Sequence, residues 1–139
     1  MSEYTILLAE DDSAQRELLE LSLMISEPGI RIVNAKSREE ILEAARNTPL
    51  DCAVIDFNLP PYQAPEIIED LQEMHAEMPI IVISASEHQS VVIESLRTGV
   101  SDFVPKIKAV SGGYLWERVL DGASRATLGR CWFRERDCH

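Results

Sequence analysis

The chain has 139 residues, 45% of them hydrophobic and 27% charged, and carries a formal net charge of −11. That is enough for one domain with a full core, and the acidity argues against a direct grip on nucleic acid, whose affinity comes mainly from Lys and Arg neutralising phosphates. No apolar run approaches the roughly 20 residues of a membrane span, and Met1-Ser2-Glu3-Tyr4 lacks the basic-then-apolar layout of a signal peptide, so a cytoplasmic protein without a membrane partner is predicted.

Apolar runs rich in β-branched residues alternate with helical-period segments, the pattern of βαβ units around a parallel sheet covered on both faces. The first strand is Thr5–Ala9. The helix after it begins near Asp12, whose carboxylate can cap free amides while Gln15 reaches back, and Leu18, Leu21 and Ile25 then recur at i, i+3 and i+7. A second strand over Ile30–Ala35 leads to the capping box Ser37-Arg38-Glu39-Glu40, with Ile41, Ala44 and Ala45 on one helical face. The third strand is Cys52–Asp56, and its helix runs from about Pro65 to Ala76 with Ile67, Ile68 and Leu71 inward. The fourth strand is Pro79–Ser84. Ser86-Glu87-His88-Gln89 opens a fourth helix, which Gly99 can close in a left-handed cap. After the fifth strand, Asp102–Pro105, the last helix follows Gly112-Gly113, with Trp116, Val119, Leu120 and Ala123 spaced as a buried stripe. The fold class is therefore α/β, a (βα)5 doubly wound sheet of order 2-1-3-4-5.

Charge divides the chain unevenly. Residues 1–105 hold 6 Lys and Arg against 20 Asp and Glu, whereas residues 106–139 hold 7 against 4. Residues 1–124 read as the domain and 125–139 as a C-terminal tail or the start of a linker. The tail interleaves Arg130, Arg134 and Arg136 with Trp132 and Phe133, which fits an extended helix, a linker or a homodimer contact, and the general behaviour of termini favours the linker. Cys52 lies in an apolar run and Cys131 and Cys138 in the tail. No disulfide framework follows, and Cys131, Cys138 and His139 match no zinc pattern.

In an open α/β sheet of this order, ligands bind at the carboxyl ends of the strands, beside the reversal between the first and third. Polar residues converge there: Glu10-Asp11-Asp12 after the first strand, Asp56 after the third, Ser84 after the fourth and Lys106 after the fifth. Clustered acids repel one another unless a cation sits among them. Magnesium suits a site offering one or two carboxylates, a carbonyl and room for water and phosphate oxygens. Each residue has a plainer reading as well, an acidic turn at a helix N-terminus or a surface lysine, but a carboxylate ending an apolar strand is costly unless paired.

The motifs Ile6-Leu7-Leu8-Ala9-Glu10-Asp11-Asp12, Asp56-Phe57-Asn58-Leu59-Pro60, Ile83-Ser84-Ala85, and Gly99 through Phe103 to Lys106 resemble the response-regulator receiver domain, from about Tyr4 to about Ala123. The resemblance implies a two-component phosphoacceptor that takes a phosphoryl group on Asp56 from a sensor histidine kinase or phosphotransfer protein, using Mg²⁺. By it, Glu10, Asp11, Asp56 and Asn58 form the metal set, the last through its carbonyl. Ser84 meets the phosphoryl group, Phe103 is the switch aromatic and Lys106 binds phosphoryl oxygen. Turnover on a separate substrate is not implied, and the output partner is not named.

Three features depart from the family. Ala64 stands where a glycine is usual. Ile107 replaces a proline that ordinarily follows the lysine in a cis bond; a non-proline cis bond costs about 3–4 kcal/mol, which leaves a different loop path or retained strain. The segment Ile107–Gly113 is also long. Three rival readings are weaker. An Asp-nucleophile phosphatase would want an acid where Asn58 stands, a flavodoxin-like nucleotide binder would not line its first loop with three acids, and a degenerate receiver acting only as an interaction module would not keep the whole polar set.

Overall fold

The computed structural model describes residues 4–59, 62–85, 97 and 99–124. Five parallel strands, β1 (Thr5–Ala9), β2 (Arg31–Ala35), β3 (Cys52–Asp56), β6 (Ile80–Ser84) and β7 (Asp102–Pro105), form one sheet in the order β2-β1-β3-β6-β7. Counted among themselves, this is the predicted order 2-1-3-4-5. A separate two-stranded hairpin, β4 (Asn58–Leu59) and β5 (Tyr62–Gln63), lies between β3 and the helix after it.

Alternation along each strand divides its side chains between two cores. Leu7, Ala9, Ala53, Ile55, Ile80 and Val82 point to one side, where helices α2 (Arg38–Asn47) and α3 (Ala64–Met74) bring Ile41, Ala45, Ile67, Ile68 and Leu71. Ile6, Leu8, Cys52, Val54, Ile81 and Ile83 point to the other, to meet Leu19 and Leu23 of α1 (Ser13–Ser26) and Leu115 and Val119 of the helix over 114–124. The central strands β1, β3 and β6 are covered on both faces, which is why they read as unbroken apolar runs. Truncating a side chain such as Ile55, wholly buried in β3, would cost about 3 kcal/mol.

The predicted caps are present. Asp12 accepts from the Gln15 amide at 3.0 Å and Ser37 from the Glu40 amide at 3.2 Å, each satisfying a helix N-terminus. Gly99 has φ +84, the left-handed conformation expected of it. The opening of the fourth helix at Ser86–Gln89, the Pro60-Pro61 tip and the tail 125–139 lie outside the described residues.

Two helical faces differ from expectation. In α1 the inward residues are Leu19, Ser22 and Leu23, while Leu18, Leu21 and Ile25 are 52%, 55% and 72% exposed. The Ser22 hydroxyl can face inward because it donates to the Gly112 carbonyl at 3.2 Å, a partner 90 residues away. In the last helix Leu115 is buried and Leu120 sits at the surface; Trp116 is half-buried and meets Tyr4 edge to face at 5.3 Å.

Candidate functional site

The chain runs from β1 to β2 on one side and then returns to place β3 on β1's other side, so the strand order reverses between β1 and β3. The carboxyl ends of β1, β3 and β6 open there into a cavity of about 480 Å³ lined by Glu10, Asp11, Asp12, Gln15, Asp56, Phe57, Asn58, Ser84, Ala85 and Lys106. Every predicted site residue except Phe103 is in this lining. Gln15 was read from the sequence only as a partner of the Asp12 cap; one helical turn past the acids, it also borders the cavity.

Glu10, Asp56 and Ser84 are buried, whereas Asp11 and Asp12 are exposed. One carboxylate oxygen from each of Glu10, Asp11 and Asp56 lies within 4.8 Å of the other two. Lys106 partly compensates this charge. Its Nζ donates to Asp56 Oδ2 at 3.0 Å and forms an ion pair with Glu10 Oε2 at 2.8 Å. Burial alone would lower the Lys106 pKa, but its bonds to Glu10 and Asp56 and their charges outweigh burial and hold the ammonium above the ordinary lysine value. Glu10 is pushed above the usual carboxylate range, first by burial and then by the charge of Asp56, against the bonds from Lys106 and the Asp12 amide. The two directions are compatible: one lysine faces two acids, and the more deeply buried acid shares it.

Lys106 reaches the acids by a path the sequence left open. Pro105 is extended, with φ −60 and ψ 140, and the backbone turns directly into a one-turn helix, Lys106–Ala109, of which the lysine is the first residue. Ala109 buries itself beside Val104 in the core under α1, while Ile107 is turned to solvent. The extra length of 107–113 is thus spent on this turn and on the Gly112 contact with Ser22.

The hairpin orients the backbone after Asp56. The Ala64 amide donates to the Phe57 carbonyl at 2.9 Å, and Asn58 faces Gln63. In an antiparallel ladder, bonded and non-bonded pairs alternate, so Asn58 and Gln63 form a non-bonded pair and the Asn58 amide and carbonyl turn away from the hairpin's interior. The Asn58 amide accordingly donates to Asp56 Oδ1 at 3.1 Å. Helix α3 starts at Ala64 directly after β5, and no non-glycine residue among those described needs positive φ.

Ser84 closes β6 opposite Pro105, and Phe103 lies opposite Val82, two residues lower. Because Val82 and Ser84 share a face, Phe103 sits on that face too, half-buried against the α2 and α3 core. It is therefore a diagonal neighbour of Ser84 and not its counterpart at an adjacent strand end.

A family model described as a response regulator receiver domain matches residues 6–111. Transcriptional regulatory protein AfsQ1 of Streptomyces coelicolor is 36% identical over 126 residues, 91% of this chain and 52% of that protein. KDP operon transcriptional regulatory protein KdpE of Escherichia coli is 34% identical over 102 residues, 73% of this chain and 44% of that protein. The chain thus spans about half the length of these curated relatives or less. A CheY-like receiver domain protein from Methanospirillum hungatei shares the fold with a TM-score of 0.80 at 21% identity, over 92% of this chain and 99% of that one. With the 2-1-3-4-5 sheet and the acids and lysine gathered at its reversal, these likenesses agree: the chain belongs to the response-regulator receiver domains of two-component signalling.

Proposed function

We propose that Asp56 accepts a phosphoryl group from a sensor histidine kinase or phosphotransfer protein, and that the modified chain regulates a partner or an output domain. One observation carries this reading. Asp56 is a buried carboxylate at the end of a core strand, with Lys106 on one oxygen and the Asn58 amide on the other, beside two further acids.

In the transfer, an Asp56 carboxylate oxygen forms a bond to phosphorus as the P–N bond of the donor phosphohistidine breaks, and the imidazole keeps the electron pair. The protein's contribution is position and charge. The Asn58 amide and Lys106 fix the carboxylate's two oxygens. Lys106 can pass from Asp56 to a phosphoryl oxygen as charge builds there, and the Ser84 hydroxyl stands at the neighbouring strand end to donate to another. Glu10, Asp11 and Asp56 present hard anionic oxygens, a donor set that fits Mg²⁺, with the Asn58 carbonyl turned outward to join them. When bound, Mg²⁺ would neutralise charge on the phosphoryl oxygens. Later hydrolysis of the acyl phosphate resets the chain, and sustained turnover of an added phosphomonoester is not expected. No described helix is long and apolar enough to cross a membrane; action in the cytoplasm is part of this reading.

Incubation with Mg²⁺ and acetyl phosphate, or with a phosphorylated kinase, should add one base-labile phosphoryl group. Asp56→Asn should abolish the adduct and chelation of Mg²⁺ should suppress it. An adduct retained in Asp56→Asn overturns the assignment.

A further inference from the structure

Lys106 faces both buried acids, yet the piece of backbone that carries it is too short to hold its own shape. The turn Lys106–Ala109 has four residues, well below the length at which an isolated helix persists in water. Its form therefore comes from what grips it. At the near end Pro105 closes β7 opposite Ser84. Within the turn Ala109 is buried in the core under α1. Beyond it, the Ser22 hydroxyl of α1 donates to the Gly112 carbonyl at 3.2 Å.

The path from the lysine to that bond is continuous. The Val110 amide donates to the Lys106 carbonyl at 3.2 Å and the Ser111 amide to the Lys108 carbonyl at 3.1 Å. The Ser111 hydroxyl donates to the Ile107 carbonyl at 2.6 Å. Gly112 then takes φ +57, a left-handed conformation that glycine adopts without strain, and its carbonyl meets α1. Ser22 is itself buried, a polar residue between Leu19 and Leu23 on the inward face of that helix. Alanine would pack there without a polar group to satisfy and is the better helix former. What the hydroxyl adds is the bond to Gly112.

The same helix begins at the acids. The amide of Asp12, the N-cap of α1, donates to Glu10 Oε1 at 3.1 Å, while Glu10 Oε2 pairs with Lys106 Nζ at 2.8 Å. Glu10, Lys106, the turn, Gly112, Ser22 and α1 thus form a closed circuit. In it, roughly ten residues of helix, about 15 Å, set the distance between the acid end and the anchor of the lysine turn.

We infer that Ser22 is a positioning residue for phosphoryl transfer: by holding Gly112 to α1 it fixes the turn on which Lys106 stands, and so the place of the ammonium beside Asp56. The inference rests on the proposed role of Asp56. A lysine stem is flexible and makes up part of any shift in its backbone. Loss of the bond should therefore slow transfer by roughly three- to tenfold, the size of one net hydrogen bond.

The test places Ser22→Ala in the full chain and uses acetyl phosphate with Mg²⁺ as donor, so that no kinase surface enters. Formation of the Asp56 adduct should slow by roughly three- to tenfold. The melting temperature should stay at or above the parent's, because the exposed Gly112 carbonyl can turn to water and alanine favours a helix. In a Lys106→Met background the same substitution should change the rate by less than about twofold, since the residue through which it acts is gone. Backbone ¹⁵N order parameters, read without any donor, should fall over residues 107–112 and stay at about 0.85 in β3. Equal slowing with and without Lys106, or order parameters unchanged over 107–112, overturns the inference. A parent chain that gains no adduct defeats the reading of Asp56, and the role of Ser22 in transfer with it. A normal parent adduct that forms at the same rate in Ser22→Ala defeats only the present inference.

Discussion

Replacing Lys106 with methionine should turn the acid cluster from a compensated group into a self-repelling one. The ammonium lies 2.8 Å from Glu10 Oε2 and 3.0 Å from Asp56 Oδ2, and both acids are almost wholly buried. Methionine retains most of the stem's apolar contacts but leaves carboxylate oxygens within 4.8 Å of one another. At that separation and an effective dielectric near 20, two like charges repel by roughly 3 kcal/mol. Removing one partner of a buried ion pair costs a similar ~3–5 kcal/mol. The Lys106 side chain is 15% exposed, so the lower end applies. A loss of about 3 kcal/mol lowers the melting temperature of a domain this size by roughly 10 °C. The deficit also depends on pH. Burial and the charge of Asp56 already raise Glu10, and removing Lys106 takes away the main opposing bond. A carboxyl with a raised folded-state pKa binds its proton more tightly in the folded protein. The penalty is therefore full at high pH, shrinks as pH falls through the folded-state pKa and is gone below the unfolded value of about 4.3. Urea melts of parent and variant in metal-free buffer at about pH 8 and about pH 5.5 bracket that range. A variant as stable as the parent at the higher pH, or one whose deficit grows on acidification, refutes the role of Lys106 as internal counter-ion.

Asp11→Asn should weaken Mg²⁺ binding by at least tenfold in calorimetric titration, since one of three clustered anionic oxygens is lost, while the metal-free protein keeps or gains stability from the relief of repulsion. An unchanged affinity would remove Asp11 from the metal set. If a phosphoryl group on Asp56 signals to Phe103 through Ser84, its diagonal neighbour, Ser84→Ala should block that signal. The bond from Ser84 to a charged phosphoryl oxygen is worth about 1.5–3 kcal/mol, enough to shift a two-state equilibrium by roughly one to two orders of magnitude. Phosphoryl-mimic shifts that still reach Phe103 undiminished in the NMR spectrum of the variant would contradict this.

The acid site was legible because it obeys rules that act locally. A carboxylate ending the apolar run Cys52–Asp56 demands a partner, and strand ends in a doubly wound sheet demand a shared rim, so Glu10, Asp56, Ser84 and Lys106 could be brought together before any contact was known. The faces of α1 were less legible. Leu18, Leu21 and Ile25 satisfy an apolar period, but so do Leu19 and Leu23, and the choice rests on Ser22, a polar residue that turns inward only because the distant Gly112 carbonyl accepts from it. Periodicity cannot see such a partner. The turn at Lys106–Ala109 was likewise undetermined: Ile107 excluded the usual proline path without specifying its replacement. Nor does Pro60-Pro61 between short polar and apolar residues announce a ladder; the hairpin follows from the Phe57 and Ala64 pairing that brackets it.

That ladder limits how the segment between acceptor and α3 can change in length. Phe57 and Ala64 are joined, and Asn58 is directed toward the acids by parity alone. Adding or removing one residue in a single arm shifts the pairing by one and exchanges the two faces of that arm. The Asn58 peptide would then turn from Asp56 although no acidic side chain had been touched. Changes matched in both arms, or taken up at the Pro60-Pro61 tip, leave it in place. Variation here should therefore come in compensating pairs, so that a lone one-residue deletion can silence the site as thoroughly as a substitution of the acceptor.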